Sequence, residues 1–266
     1  MSGFIFKLQN VLTSQSHANS SDAQIAKLML QNLHYANKNV TITQLAKACY
    51  TSVSSISRFA TNLGYDSFNE MKQDFIGIPA EYDDLQVDNS FFNTKSLSQY
   101  KEEIINSFEG FNEIDIKDHA LWLAEFIFNQ ENVYIFSTHI PSNIISILHR
   151  AILATGKYVE FVQDKHEQIK IAENATSADS FIFVSLDGTF VMAKEITIPV
   201  IMSGAKKVLI TQNTDMKFAS NFDYLIPLGS KSPIYTGKYK LLLFVDYFIN
   251  VFFTYANEHS ELLNKK

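Results

Sequence analysis

The sequence predicts an α + α/β fold, in which an all-helical N-terminal domain precedes a domain built on a parallel β-sheet. Two patterns support this prediction. Between residues 20 and 75, apolar side chains recur at the spacing of amphipathic helices. Between residues 133 and 228, short continuous apolar segments alternate with helical ones, as in a parallel sheet that is covered by helices on both faces.

A polar stretch separates the two patterns. Residues 77–99 contain Pro79, an acidic run and no sustained apolar period, which is typical of an interdomain linker. We therefore expect domains at 1–76 and 100–266.

Composition narrows the class of protein. With 46% hydrophobic and 19% charged residues, a chain of 266 residues can bury a substantial core. The single cysteine, Cys49, excludes an intramolecular disulfide, and neither a metal site nor a cofactor is expected. No secretory signal is visible, so we expect a cytoplasmic protein. The most apolar segment, 241–253, is short for a membrane span and contains Asp246, which favours a core helix.

Charge is unevenly distributed along the chain. Residues 1–76 carry six Lys and Arg against four Asp and Glu, a net charge of +2, whereas the whole chain has a net charge of −6. A slightly basic N-terminal domain on an acidic body fits a DNA-contacting module attached to a domain that avoids DNA.

The N-terminal pattern resolves into successive helices. A first helix follows Ser20 or Ser21, and a last one follows Gly64. Their apolar positions are Ile25, Leu28, Met29 and Leu33 in the first, and Phe68, Met71 and Phe75 in the last.

Two short helices lie between them. Thr43 can cap a helix that runs through Ala48, and Ser52 can cap one that runs to about Leu63, after a turn at 49–51. Packing at a steep angle requires small or apolar residues at the contact, and these are Leu45, Ala46, Cys49, Thr51, Ile56 and Phe59.

The opposite face of the second short helix is narrow and polar. Small side chains let a helix enter the major groove, hydroxyls can bond phosphates or base edges, and an arginine can pair with guanine or phosphate. The candidate DNA-contacting residues are Ser52, Val53, Ser54, Ser57, Arg58 and Thr61. The alternative is a serine-rich surface helix that is merely solvated.

The second domain alternates strands and helices after helical segments at 100–108 and 119–128. Expected strands are 133–136, 158–162, 181–185, 208–211 and 224–228. Expected helices are 143–154, 167–174 and 190–202, with a short turn near Phe218 and a long helix from about Gly237.

The segments 42–48, 54–59 and 62–72 resemble the N-terminal domain of RpiR-type regulators, and the resemblance extends over nearly the whole chain. It implies a bacterial regulator of sugar catabolism. It also implies that the second domain is a doubly wound parallel sheet of the sugar-isomerase-like (SIS) type, and that this domain senses a phosphosugar. The SIS domain would also dimerise, so that the two helix-turn-helix domains of a dimer bind the two half-sites of an operator. Tyr50 departs from the family, which has glycine in this turn, and must adopt a left-handed backbone or shift the turn.

The two phosphate-binding loops that the family implies are altered here. The first is a glycine-rich loop in the family, but this chain has Ser137, His139 and Ser142, with Pro141 removing an amide donor. In the second, Ser185 and Gly188 match and Thr189 offers a hydroxyl.

Asp187 replaces a family serine in the second loop and would repel a phosphate. His166 matches a family histidine near the ligand pocket, although a lone histidine on a loop more often caps a helix or contacts solvent. The hypothesis is that His139, His166 and Asp187 converge on one pocket, which suits a neutral or cationic polyol better than a phosphate.

Two alternatives stay open beside a ligand-sensing regulator. One is a regulator whose SIS domain only dimerises. The other is a phosphosugar isomerase-like enzyme, for which Glu167, Glu173 and His166 offer bases but the altered loops leave little to orient a phosphorylated substrate. The expected partners are double-stranded operator DNA, a sugar phosphate or polyol, and a second copy of the chain, with no membrane.

Overall fold

The computed structural model describes residues 3–13, 21–32, 39–85, 96–137, 139–188, 190–215 and 219–259. The chain divides into two compact units, Met1–Asn93 and Thr94–Lys266. Each unit has its own hydrophobic core.

The described part of the N-terminal unit is helical. Its helices are α1 (Gly3–Thr13), α2 (Ser21–Gln31), α3 (Ile42–Ala48), α4 (Val53–Asn62) and α5 (Phe68–Leu85). Helix α1 was not expected, yet Phe4, Ile5 and Leu8 lie on one face of the helix and are buried. Their burial completes the core formed by the other helices.

Polar contacts fix the helices of this unit relative to one another. Asn62 Nδ2 at the end of α4 donates to Asp22 Oδ2 in α2 at 2.8 Å. The Tyr65 hydroxyl, which follows α4, donates to Asp74 Oδ2 in α5 at 2.7 Å. The ring of Phe4 packs against the ring of Tyr65 at a centroid distance of 6.0 Å.

One expectation for the N-terminal unit is wrong. Thr41, not Thr43, caps α3: Gln44 N donates to Thr41 Oγ1 at 3.2 Å and Thr41 N donates to Gln44 Oε1 at 2.9 Å. This reciprocal pair is a capping box, which a Thr-x-x-Gln sequence encodes better than a lone threonine.

The linker expected at 77–99 is helical at both ends. Helix α5 continues past Pro79 to Leu85, because an internal proline removes one helical hydrogen bond without obliging the helix to end. Helix α6 (Leu97–Asn106) begins after the N-cap Ser96. Residues 86–95 lie outside the described residues.

The second unit contains a parallel five-stranded sheet with the order β2-β1-β3-β4-β5. Its strands are β1 (Asn132–Ser137), β2 (Glu160–Val162), β3 (Asp179–Val184), β4 (Lys206–Thr211) and β5 (Tyr224–Pro227). All the predicted strands are present, with shifted ends.

The helices of this unit follow in chain order. After α6 they are α7 (Glu113–Asn129), α8 (His139–Ala154), α9 (Lys165–Glu173), α10 (Lys194–Met202) and α11 (Ile234–Glu258). The helix expected at 190–202 is divided, because a 3-10 turn at Phe190–Met192 precedes α10. A second 3-10 turn, Ala219–Asn221, follows Phe218, which itself is not described.

Helices cover both faces of the sheet. Alternate strand residues such as Ile135 and Ile182 face a core that includes buried residues of α7, α8 and α11. Their neighbours Phe136 and Phe183 face a core that includes residues of α9 and α10. The predicted doubly wound arrangement is therefore present, and the strand order reverses between β1 and β3.

Helix α11 is long and apolar enough to cross a membrane by length and composition. It instead contributes Leu241, Phe244, Phe248 and Phe252 to the sheet core, each at most 1% exposed. The interpretation of this segment as a core helix is confirmed.

Candidate DNA-binding and effector sites

Helices α3 and α4 form a compact pair joined by a short turn. Of the six contact residues that the sequence predicts, Thr51 is half-buried and the others are buried: Leu45, Ala46, Cys49, Ile56 and Phe59. Burial also raises the pKa of the Cys49 thiol to about 11, so this cysteine is a packing residue at neutral pH.

Ser52 starts α4 as predicted. Its Oγ accepts from Ser55 N at 3.1 Å and lies 2.8 Å from the hydroxyls of both Ser54 and Ser55. Ser52 therefore fixes where the helix begins and holds neighbouring hydroxyls in position.

The outward face of α4 is open to solvent. The candidate DNA-contacting residues are all exposed: Ser52, Val53, Ser54, Ser57, Arg58 and Thr61. Thr61 Oγ1 donates back to Ser57 O at 3.3 Å, so this hydroxyl is already engaged along the helix. The remaining face is small, polar and carries the positive charge of Arg58.

The turn between the two helices contains the predicted departure. Tyr50 adopts a left-handed backbone with φ of 49°, which is the first of the two outcomes expected for a non-glycine residue there. Tyr50 N donates to Lys47 O at 3.2 Å and Thr51 N donates to Ala46 O at 2.9 Å, so the turn is closed without a shift.

In the second unit, the carboxyl end of β1 leads almost directly into α8. Ser137 is fully buried and its Oγ donates to Val184 O at 3.3 Å. Helix α8 begins at His139, earlier than the expected 143, because a proline at position 141 is compatible with the first turn of a helix. Ser142 is 6% exposed and its Oγ has no hydrogen-bond partner among the described residues.

The loop after β3 is tied to the end of β4. Ser185 is buried, and its Oγ accepts from Phe190 N at 3.3 Å. Leu186 O accepts from Thr211 Oγ1 at 3.2 Å, and Asp187 O accepts from Asn213 Nδ2 at 2.7 Å. The loop is thereby fixed, and the side chain of Asp187 remains exposed.

Gly188 follows with φ of 86°, a conformation that favours glycine. It is buried. Thr189 and the side chain of His139 lie outside the described residues.

A buried glutamine of α9 lies against the carboxyl ends of two strands. Sequence reasoning did not single out this residue. Gln168 is fully buried, and its Nε2 donates to Ser137 O at 3.2 Å and to Val162 O at 2.7 Å. Its Oε1 has no partner among the described residues. His166, two residues earlier, is exposed. The convergence of His139, His166 and Asp187 on one pocket stays a prediction.

A second buried polar group lies after β5. Lys240 in α11 is fully buried, and its Nζ donates to Ser230 O. Burial lowers the pKa of Lys240 from 10.5 to about 8. Nearby, Gln212 Nε2 donates to Ser232 O at 2.5 Å and Gln212 Oε1 accepts from Ser232 Oγ at 2.9 Å, so the segment before α11 is linked to the end of β4.

The geometry defines a helix-turn-helix protein with a doubly wound α/β domain. Residues 6–78 match the family model of the helix-turn-helix domain of the rpiR family. The chain has no match among curated protein sequences. The N-terminal domain is a helix-turn-helix domain of the rpiR family.

Solved structures extend the likeness to the whole chain. The NanR protein of Vibrio vulnificus, complexed with ManNAc-6P, is similar over 99% of this chain and 96% of its own, with 16% identity and a TM-score of 0.51. The sugar isomerase domain of an RpiR transcription factor from Sphaerobacter thermophilus matches 63% of this chain and 93% of its own, with 12% identity and a TM-score of 0.47.

A Methanococcus jannaschii protein, whose structure was interpreted as that of a 3-hexulose-6-phosphate isomerase, is similar to 63% of this chain and 97% of its own. Its identity is 17% and its TM-score 0.47. The likeness to NanR shows the fold of this chain, a helix-turn-helix domain followed by a doubly wound α/β domain.

Proposed function

We propose that this chain is a transcriptional regulator that binds operator DNA through α4 and responds to a carbohydrate ligand at the carboxyl ends of β1 and β3. The match of residues 6–78 to the rpiR-family helix-turn-helix domain is the observation that carries the DNA-binding part. A regulatory role is favoured over isomerase activity for the same reason.

Helix α4 has the surface that a recognition helix requires. Its exposed side chains are short except for Arg58, so the helix backbone can approach base edges closely. Ser57 offers a hydroxyl, Ser54 offers one that is held 2.8 Å from Ser52 Oγ, and Arg58 can make two parallel hydrogen bonds to guanine. Ser52 and Thr61 have internal bonds and contribute mainly by holding the helix.

A homodimer would present two such helices to one operator. Two α4 helices related by a two-fold axis would meet half-sites about 34 Å apart, which is one turn of B-DNA. The operator is then expected to be pseudo-palindromic.

The proposed effector site suits hydroxyl groups better than phosphate. The hydroxyls of Ser137 and Ser185 are engaged in internal hydrogen bonds. The carboxylate of Asp187 would cost about 4 kcal/mol per unit of negative charge placed 4 Å away at an effective dielectric of 20. Ser142 Oγ and Gln168 Oε1 are buried near β1 and can each bond a ligand hydroxyl.

The ligand class therefore differs from that of the similar NanR structure, which holds ManNAc-6P. We expect an unphosphorylated sugar or polyol to be the preferred effector here. A sugar phosphate is the competing candidate, and an SIS domain that only dimerises would bind neither.

Selection from a random duplex library tests the DNA-binding part. Wild type, Arg58→Ala and Lys27→Ala are compared at one salt concentration, because both variants remove one exposed positive charge from the same unit. We expect wild type and Lys27→Ala to enrich the same symmetric motif. Arg58→Ala should lose the base preference at one position of each half-site, and its binding free energy for the wild-type motif should weaken by about 1 to 3 kcal/mol.

If Arg58→Ala enriches the same motif as wild type, Arg58 does not recognise a base. Failure of wild type to enrich any sequence, with and without sugars, would refute the regulator proposal.

A further inference from the structure

The turn of the helix-turn-helix holds a residue whose backbone is unfavourable. Tyr50 has φ of 49° and is the only non-glycine among the described residues with a positive φ. In this conformation the Cβ of an L-residue crowds the following carbonyl oxygen, a penalty that glycine avoids. Tyrosine at this position therefore weakens the isolated turn relative to glycine.

Packing within the described part of the chain does not repay this penalty. Tyr50 is 89% exposed, the largest exposed fraction among the large hydrophobic residues described. The hydrogen bonds that close the turn, Tyr50 N to Lys47 O and Thr51 N to Ala46 O, use only backbone atoms. A glycine would form both bonds without strain, so the aromatic side chain adds nothing to the turn itself.

Tyr50 lies beside the surface that carries the proposed DNA contacts. It precedes the N-cap Ser52 by two residues, which places the two Cα atoms within about 7.6 Å of each other. Val53, the first residue of α4, is also exposed, at 43%. The phenol thus extends the exposed edge at the start of α4.

We propose that Tyr50 contacts the DNA backbone, with its hydroxyl donating to a phosphate oxygen and its ring lying against the adjacent deoxyribose. This inference rests on the proposed function of α4. Tyrosine hydroxyls are among the usual phosphate contacts of DNA-binding proteins. The contact is sequence-independent and, because the phenol is a neutral donor, it displaces no counterion.

The test measures the affinity of the full chain for its selected operator and for a scrambled duplex, between 50 and 200 mM salt. The variants are Tyr50→Phe, Tyr50→Gly and the control Tyr158→Phe, which alters an exposed tyrosine of the other unit. Tyr50→Phe should weaken the affinity for both duplexes by about tenfold, which corresponds to the loss of one hydrogen bond to a charged group. The slope of log affinity against log salt should not change.

Tyr50→Gly separates the contact from the turn. It should weaken DNA binding at least as much as Tyr50→Phe while slowing hydrogen exchange across residues 41–63 about fivefold, because the left-handed strain is relieved. Tyr158→Phe should bind both duplexes like wild type.

Tyr50→Phe and Tyr50→Gly affinities equal to that of wild type would overturn the inference and leave the proposed function standing. If the Tyr50 variants lose affinity for the operator but not for the scrambled duplex, Tyr50 contacts a base and its assignment as a phosphate contact is overturned. If wild type binds no duplex, the proposed function fails and this inference fails with it.

Discussion

Replacing Gln168 by methionine tests the link between α9 and the strand ends. The Gln168 amide is fully buried and donates to Ser137 O at 3.2 Å and to Val162 O at 2.7 Å. Methionine preserves the length and approximate volume of the side chain but cannot donate a hydrogen bond. The substitution therefore removes two hydrogen bonds while changing little else.

The expected loss follows from these contacts. Each hydrogen bond contributes about 1 kcal/mol net, and a buried carbonyl left unpaired costs about 1 to 3 kcal/mol. Removing Oε1, which has no partner among the described residues, offsets part of this loss. We expect the free energy of unfolding to fall by about 2 kcal/mol.

Urea unfolding of the full chain can measure this loss. Trp122 is the only tryptophan and stacks on Tyr224 at a centroid distance of 3.5 Å, so its fluorescence reports on the second unit. With a slope of about 2 kcal/mol per molar urea, Gln168→Met should lower the midpoint by about 1 M. Lys170→Met, at an exposed position of α9, is the control and should shift it by less than about 0.25 M.

Gln168→Glu adds a pH test of the same geometry. A carboxyl at this position donates only when protonated, so its folded-state pKa should lie above the ordinary value of about 4.3. The variant should be most stable below that ordinary value and lose stability as pH rises through the folded-state pKa. Equal midpoints for Gln168→Met and Lys170→Met, or a Gln168→Glu midpoint that does not change with pH, would refute the role given to Gln168.

Two further predictions concern charged groups of the second unit. Because burial lowers the pKa of Lys240 to about 8, the unfolded state binds more protons between pH 8 and 10.5, and wild-type stability should gain from this residue as pH rises through that window. Lys240→Met should remove that gain in urea titrations, and an unchanged pH dependence would contradict it. In thermal-shift assays, wild type should respond more to unphosphorylated polyols than to sugar phosphates, and Asp187→Ser should gain a response to phosphates. A wild type that prefers sugar phosphates would contradict the role of Asp187.

The strands could be predicted because helices on both faces demand continuous apolar runs. Every residue of β3, Asp179–Val184, is buried, and the expected strand at 181–185 differs from it by two residues at the start and one at the end. At β2 the prediction began at Tyr158, which is 68% exposed and precedes the strand. Apolar character alone therefore did not predict where β2 begins.

Helix starts were less predictable because several residues permit them. The helix expected at 143–154 began after Pro141, yet the first turn of α8 accommodates this proline. Thr43 and Thr41 are both suitable N-cap residues, but only Thr41 has Gln44 three residues later to complete a capping box. In such cases the choice depends on a second residue or on tertiary packing.

The two candidate sites differ in how far the sequence defined them. The exposed face of α4 follows from helical periodicity, so the residues expected to be exposed are exposed. Gln168 lies two residues after His166, and its burial depends on reaching the ends of β1 and β2. No local pattern encodes that contact.

The most direct test of the regulator proposal is the ratio of affinities of the full chain for its selected duplex and for a scrambled duplex of equal length, in one buffer near physiological salt. The proposal predicts that the selected duplex binds at least about 1,000 times more tightly, the lower end of sequence-specific recognition. Equal affinities for the two duplexes would contradict it.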